Sequence, residues 1–117
     1  MNEYPEYDHY EKTLKRATTF LKRWNGGTAF LYELTVSHRT LRIRIYNSER
    51  PNWFLELACD PEWIQSPGHW ENCQIDVAAK VKLKSGKEGY ILSDKTVGME
   101  IHTEYLESSE HSPKKKK

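Results

Sequence analysis

One stretch of this chain has no lysine or arginine at all, and cysteine, methionine and long apolar runs are scarce throughout. Two Cys and two Met among 117 residues leave no framework of the several disulfides on which small secreted scaffolds rely. No apolar run approaches the roughly 18 residues that a helical membrane span needs. Met1-Asn2-Glu3-Tyr4-Pro5 has neither the cationic region nor the apolar stretch of a secretory leader. A cytoplasmic protein with reduced thiols and no membrane partner is therefore expected. Recognisable catalytic spacings are missing as well: there is no Gly-x-Ser-x-Gly, no phosphate-binding glycine loop ending in Lys-Ser/Thr and no His-Glu-x-x-His, and that chemistry depends on those spacings. The five histidines (His9, His38, His69, His102 and His111) are scattered along the chain. A non-enzymatic protein without cofactor or metal is the expectation.

What is present fits one folded unit. A chain of 117 residues and 13.8 kDa has room for one core. Leu, Ile, Val and Phe make up only 23 residues, near the composition at which chains of high net charge stop folding. Here the net charge is +1, and 11 Trp and Tyr add the apolar area that the aliphatics lack. That small sum conceals segregation. Residues 51 to 76 carry five carboxylates and no Lys or Arg, together with both Cys and three of the four Trp (Trp53, Trp63, Trp70). Their flanks are basic. Ser108 to Lys117 ends in four Lys and lacks apolar surface to bury, so it reads as a disordered tail behind a single domain over residues 1–107.

Periodicity predicts the elements. Tyr7, Tyr10, Leu14, Ala17, Leu21 and Trp24 recur at spacings of three and four, the stripe of an amphipathic helix over about residues 8–24. Asp8 and Glu11 read as its capping box, and Asn25-Gly26-Gly27 as its stop. From Gly27 onward the period is two. Phe30, Tyr32, Leu34 and Val36 form one inward set, Leu41, Ile43 and Ile45 a second across a turn at Ser37 to Thr40, and Trp53, Leu55, Leu57 and Cys59 a third. The clearest alternation runs from Cys73 to Leu83; a hairpin loop at Ser85 to Gly89, a short strand at Tyr90 to Ser93 and a last strand from Val97 to Tyr105 follow. Six strands with short links predict an α+β domain, the N-terminal helix packed on one face of a curved, mainly antiparallel six-stranded meander sheet.

The connection Asp60 to Asn72 stands out, because 13 residues is long for a link in a compact domain and such links usually carry function. Asp60, Glu62 and Glu71 make its rim acidic, while Trp63, Ile64 and Trp70, with His69 between them, supply apolar anchors of the kind found at interface hot spots. The same Trp residues also suit closure of the core. Cys59 and Cys73 flank this connection on inward positions and read as buried thiols, nearly opposite one another if their strands pair. With His69 they offer three soft ligands, but without the knuckle spacing of a structural zinc site. Elsewhere Arg42, Arg44, Lys80, Lys82 and Lys84 share an outward register with Glu33, Glu56, Asp76, Glu100 and Glu104, the pattern of cross-strand charge pairs on a solvated face.

These observations point to a small protein-binding domain of the adaptor or inhibitor (immunity) type. Asp60, Glu62, Trp63, Ile64, His69, Trp70 and Glu71 would engage a partner with a basic surface. The alternative is a nucleic-acid or polyanion binder using Arg42, Arg44, Lys80, Lys82, Lys84, the basic helix face and the lysine tail, with exposed Tyr46 stacking on a base. A third reading places a ligand pocket among Tyr7, Tyr10, Trp24, Tyr32 and Trp53.

Overall fold

The stripe of apolar residues produces helix α1 (Glu6–Trp24) in the computed structural model, which describes residues 6–35 and 40–112. Ala17, Leu21 and Trp24 are buried beneath it, with Tyr10 and Phe20 at the core margin. Lys12, Lys15, Arg16, Lys22 and Arg23 are exposed. The helix already contains Asp8, so Asp8 stands within the first turns and not at the expected cap. At the other end Gly26 adopts φ of +100°, the left-handed conformation that terminates helices without a Cβ penalty. Asn25 then hydrogen-bonds Ile75 on both backbone groups: its Nδ2 donates to Ile75 O (3.0 Å) and its Oδ1 accepts the Ile75 N–H (2.9 Å). The side chain thereby holds residues 73–75 against the end of the helix.

Seven strands follow: β1 (Thr28–Thr35), β2 (Thr40–Tyr46), β3 (Phe54–Gln65), β4 (His69–Trp70), β5 (Asp76–Lys82), β6 (Glu88–Asp94) and β7 (Met99–His111). They form one antiparallel sheet in the order β4-β1-β2-β3-β7-β6-β5. The α+β class is as expected, and α1 lies against β5, β7 and β3. The count and the path differ. β4 adds a seventh strand, and the sheet is not one meander but two of three strands, β1-β2-β3 and β5-β6-β7, joined where β3 pairs with β7. Most of the turn expected at Ser37 to Thr40, and Val36, lie outside the described residues.

The joint between the meanders explains the largest departure from expectation. β3 and β7 are 12 and 13 residues long, and their register shifts between Cys59 and Pro61 and again between Pro61 and Trp63. A bulge is where a sheet tolerates proline. Buried Thr103 completes it: its Oγ1 accepts the Asp60 N–H (2.9 Å) and donates to the Tyr105 carbonyl (2.8 Å). Beyond the bulge β3 continues to Gln65, so Asp60 to Asn72 is not a loop. Its first half is strand, and His69–Trp70 is a second, short strand on the edge of β1.

Three further expectations are corrected. β7 runs on to His111, and the Glu110 carboxylate accepts the Trp24 indole N–H (2.8 Å) and an Arg23 N–H (2.6 Å), so residues 108–111 belong to the domain; Lys114 to Lys117 lie outside the described residues. The long strand expected from Cys73 is regular only over β5, where Lys80 (φ 59°) bulges out of register. In the first half of β1 Ala29 and Leu31, not Phe30 and Tyr32, are the inward residues, because Ala29 pairs with Ile45 and Leu31 with Ile43, both fully buried; the register shifts between Leu31 and Glu33, and beyond it Leu34 comes opposite Leu41.

Candidate binding surface

The parity of the first half of β1, with the register shift at Tyr32, turns two aromatic rings out of the core. Phe30 is 39% exposed and Tyr32 54%. Neighbouring strands continue the pattern on the same outer face, one ring per strand across five strands: His69 on β4, Phe30 on β1, Tyr46 on β2, Phe54 on β3 and His111 on β7. His69 stacks on Phe30 (centroids 5.7 Å, planes 18° apart), Phe30 meets Tyr46 edge-on (5.7 Å), Tyr46 leans on Phe54 (5.5 Å), and Phe54 stacks on His111 (4.8 Å, 13°). The strand pairings impose this row, since Phe30 is opposite His69 and Phe54 opposite His111. Aromatic pairs in such geometry contribute about 0.5–1.5 kcal/mol beyond their buried area.

Arg44 ties the row together. Its guanidinium lies 3.5 Å from the Tyr32 centroid and 4.3 Å from that of Phe54, and its Nε donates to Glu56 Oε1 at 3.0 Å. Burial opposes the charge on Arg44, yet hydrogen bonds to Tyr46 and Glu56 outweigh it and hold the guanidinium above its ordinary value. Arg42 reaches the same carboxylate at 3.6 Å. The centre of the face is therefore aromatic, with Arg42 and Arg44 sharing the Glu56 carboxylate.

The structure disperses the residues expected to form an acidic, Trp-bearing site. Asp60 and Glu62 are exposed at the bulge, and there Glu62 accepts a hydrogen bond from Ser85 (3.2 Å) while Lys87 pairs with Glu104 (3.3 Å). Trp63 is half-buried against the His102 ring (4.9 Å), with Lys84 Nζ 5.3 Å from its own ring. Ile64 packs on the core, and Trp70 is only 6% exposed. His69 alone joins the aromatic row, and Glu71 is exposed just past β4.

The alternative anion-binding set is likewise divided. Arg42 and Arg44 lie on β2, while Lys80, Lys82 and Lys84 lie on and just beyond β5, with β3, β7 and β6 between. Nor do the aromatics of the third reading converge: Trp24 is core, Tyr10 packs on Tyr90 (5.4 Å), Tyr32 is on the outer face and Trp53 is exposed. Tyr7 lies in the first turns of α1. Cys59 and Cys73 are both free and buried, but they do not face each other. Cys59 pairs with Leu41 and Leu106, whereas Cys73 exchanges backbone hydrogen bonds with Gly26 and Gly27. Burial, with Asp60 beside it, pushes the Cys59 thiol up to about 12; burial also raises Cys73.

Comparison with protein-family models, curated proteins and solved structures finds no match. The functional reading therefore stands on the surface chemistry of the chain itself. Tyr32, Phe30, Phe54 and His111 did not emerge from the sequence as one surface, since that required the strand order and the parity of β1. The signal available was at most the pairing of Phe30 and Tyr32 at one parity of β1, with Tyr46 and Phe54 at the ends of the next two strands.

Proposed function

We propose that the protein is a small non-enzymatic protein-binding domain whose working surface is the outer aromatic face of β4-β1-β2-β3-β7. The ring row, exposed at Phe30, His69 and His111 and half-buried at Tyr46 and Phe54, with Tyr32 exposed beside it and Arg44 fixed between the rings, carries this reading. Tyr, Phe and Arg are enriched at the centres of protein interfaces while Lys and Glu are depleted there. A side chain already held by two rings and a carboxylate also loses little freedom on binding. Tyr32→Ala and Phe30→Ala test it. Each removal forfeits ring or cation–π contacts of about 0.5–1.5 kcal/mol apiece, so the variants melt several degrees lower but stay folded at 25 °C, where capture of the partner by the folded protein falls by at least tenfold. Unchanged capture by both variants contradicts the reading.

A second reading has its own observation. Four lysines follow His111 in the sequence, and His111 itself ends a row of rings on which bases could stack; cationic groups and stacking rings are the combination single-stranded nucleic acids require. Binding of this kind weakens steeply with salt and with removal of Lys114 to Lys117. The acidic group at the bulge, Asp60 and Glu62 beside Trp63, is the part of the original adaptor or inhibitor reading that stays together and suits a basic partner. Trp63→Ala is therefore the comparison variant in the capture experiment.

A further inference from the structure

We propose that Asn25-Gly26 is a self-modification site, where the chain and water react in a spontaneous deamidation that the fold restrains through the hydrogen bonds joining the end of α1 to residues 73–75. An asparagine followed by glycine is the pair most open to this chemistry, because no side chain on the second residue obstructs the approach of its backbone nitrogen. Of Asn2, Asn25, Asn47, Asn52 and Asn72, only Asn25 precedes a glycine. In the reaction Gly26 N gives up its proton and bonds to Asn25 Cγ, the Cγ–Nδ2 bond breaks and ammonia leaves. Water then opens the cyclic imide to aspartate or isoaspartate, so that an amide and water become a carboxylic acid and ammonia.

Solvent reaches the site, since Gly26 is exposed and a Cβ on it would meet nothing within 4 Å. The restraint comes instead from hydrogen bonds on the reacting groups. The Gly26 N–H that must be given up donates to the Cys73 carbonyl at 2.8 Å. The Nδ2 that must leave donates to Ile75 O at 3.0 Å, while Oδ1 accepts the Ile75 N–H at 2.9 Å and the Cys73 thiol at 3.6 Å. Reaction therefore waits on a local parting of residues 73–75 from the helix end, an event short of global unfolding. It also runs one way. The ionised product has acceptors only, so it faces the Ile75 carbonyl with nothing to donate, and its charge stands at the negative end of the α1 dipole. Isoaspartate, with its lengthened backbone, misplaces the same groups.

Peptide mapping by mass spectrometry on the full chain, aged at mildly alkaline pH, tests this. Residue 25 is expected to convert at least about tenfold more slowly in the folded protein than in the same protein held in urea. Buried Asp94 accepts the Gln74 N–H at 2.6 Å within the restrained segment. Asp94→Asn is therefore expected to convert faster than Thr103→Val, whose defect lies at the β3–β7 bulge, by more than their melting temperatures account for. Asn25→Asp, one of the products, is expected to melt several degrees below wild type. Equal rates in folded and urea-unfolded wild type overturn the proposal. Rates in the two variants that simply follow their melting temperatures overturn local opening as the route, and wild-type melting of Asn25→Asp overturns the one-way release.

Discussion

The indole N–H of Trp70 donates to the carboxylate of Asp94 at 2.8 Å, joining β4 at one edge of the sheet to the end of β6 near the other. Asp94 is fully buried and also accepts the backbone N–H groups of Gln74 (2.6 Å) and Thr96 (3.0 Å). Trp70 is thus a fastening of the fold. Replacing it with Phe removes a charge-assisted hydrogen bond from a buried carboxylate, at a cost of about 2 kcal/mol, which lowers the melting temperature by roughly 10 °C in a domain of this size. Capture of a partner by the folded fraction stays at the wild-type level. Thermal unfolding alongside capture separates the two effects, and a stable Trp70→Phe protein that no longer binds contradicts the assignment.

Acid sensitivity follows from two carboxylates. Burial pushes Asp94 up, but its bonds from Gln74, Thr96 and Trp70 prevail and hold it below the ordinary carboxylate value. Glu110 is lowered in the same way, with burial outweighed by Trp24 and Arg23. Groups depressed in the folded state contribute stability that is complete above the unfolded value near about 4 and is lost as pH falls through the folded one. Asp94→Asn and Glu110→Gln are therefore less stable than wild type at neutral pH. Their melting temperatures approach the wild-type curve as pH drops below about 4. Parallel curves for variants and wild type contradict the assignment.

Thr103 is the support of the β3–β7 bulge. In Thr103→Val the shape is kept but the Asp60 N–H loses its acceptor, which costs about 1–3 kcal/mol. Amide exchange at Asp60 is expected to accelerate more than at Leu55 or Leu57. Uniform acceleration along β3 contradicts a local role for the hydroxyl.

Two glycines are required by close approach between segments. A Cβ on Gly27 would lie 2.2 Å from the Tyr46 carbonyl oxygen, and one on Gly89 2.3 Å from that of Thr103. Both obstacles are backbone, which yields only by moving a strand. Gly27→Ala and Gly89→Ala each destabilise by about 2 kcal/mol, and Gly27→Ala also displaces Tyr46 from the ring row. Gly68→Ala, where a Cβ meets nothing within 4 Å, is the control and is expected to melt near wild type.

The sequence made the helix legible through its spacing, β2 through alternation, and part of β6 through the turn residues on either side of it. It misled at Pro61. A proline two residues beyond Cys59 marks the end of a strand unless a bulge accommodates it, and the bulge depends on Thr103, more than forty residues away in sequence. Pairing with β7 beyond this bulge makes strand of an apparent loop and sets Trp63 opposite His102, while pairing with β1 and the bond to Asp94 place Trp70 in the core. The tail boundary failed for a related reason: Ser108 to His111 has little apolar content, and its order comes from pairing with β3 and from Glu110 meeting Trp24. The binding face was hidden because Phe30 and Tyr32 are the larger residues of β1 and look like its buried set. Small Ala29 and Leu31 take that place because the Ile45 and Ile43 opposite them already fill the core.

The most direct test of the outer face as the binding surface is photo-crosslinking from two positions in the intact chain. A photoreactive side chain replaces Tyr32 in one protein and Trp63 in another, and the adducts are identified by mass. The aromatic face predicts a specific protein adduct from position 32 and little from position 63. A specific adduct from position 63 with none from position 32 contradicts it and returns the function to the acidic group beside the bulge.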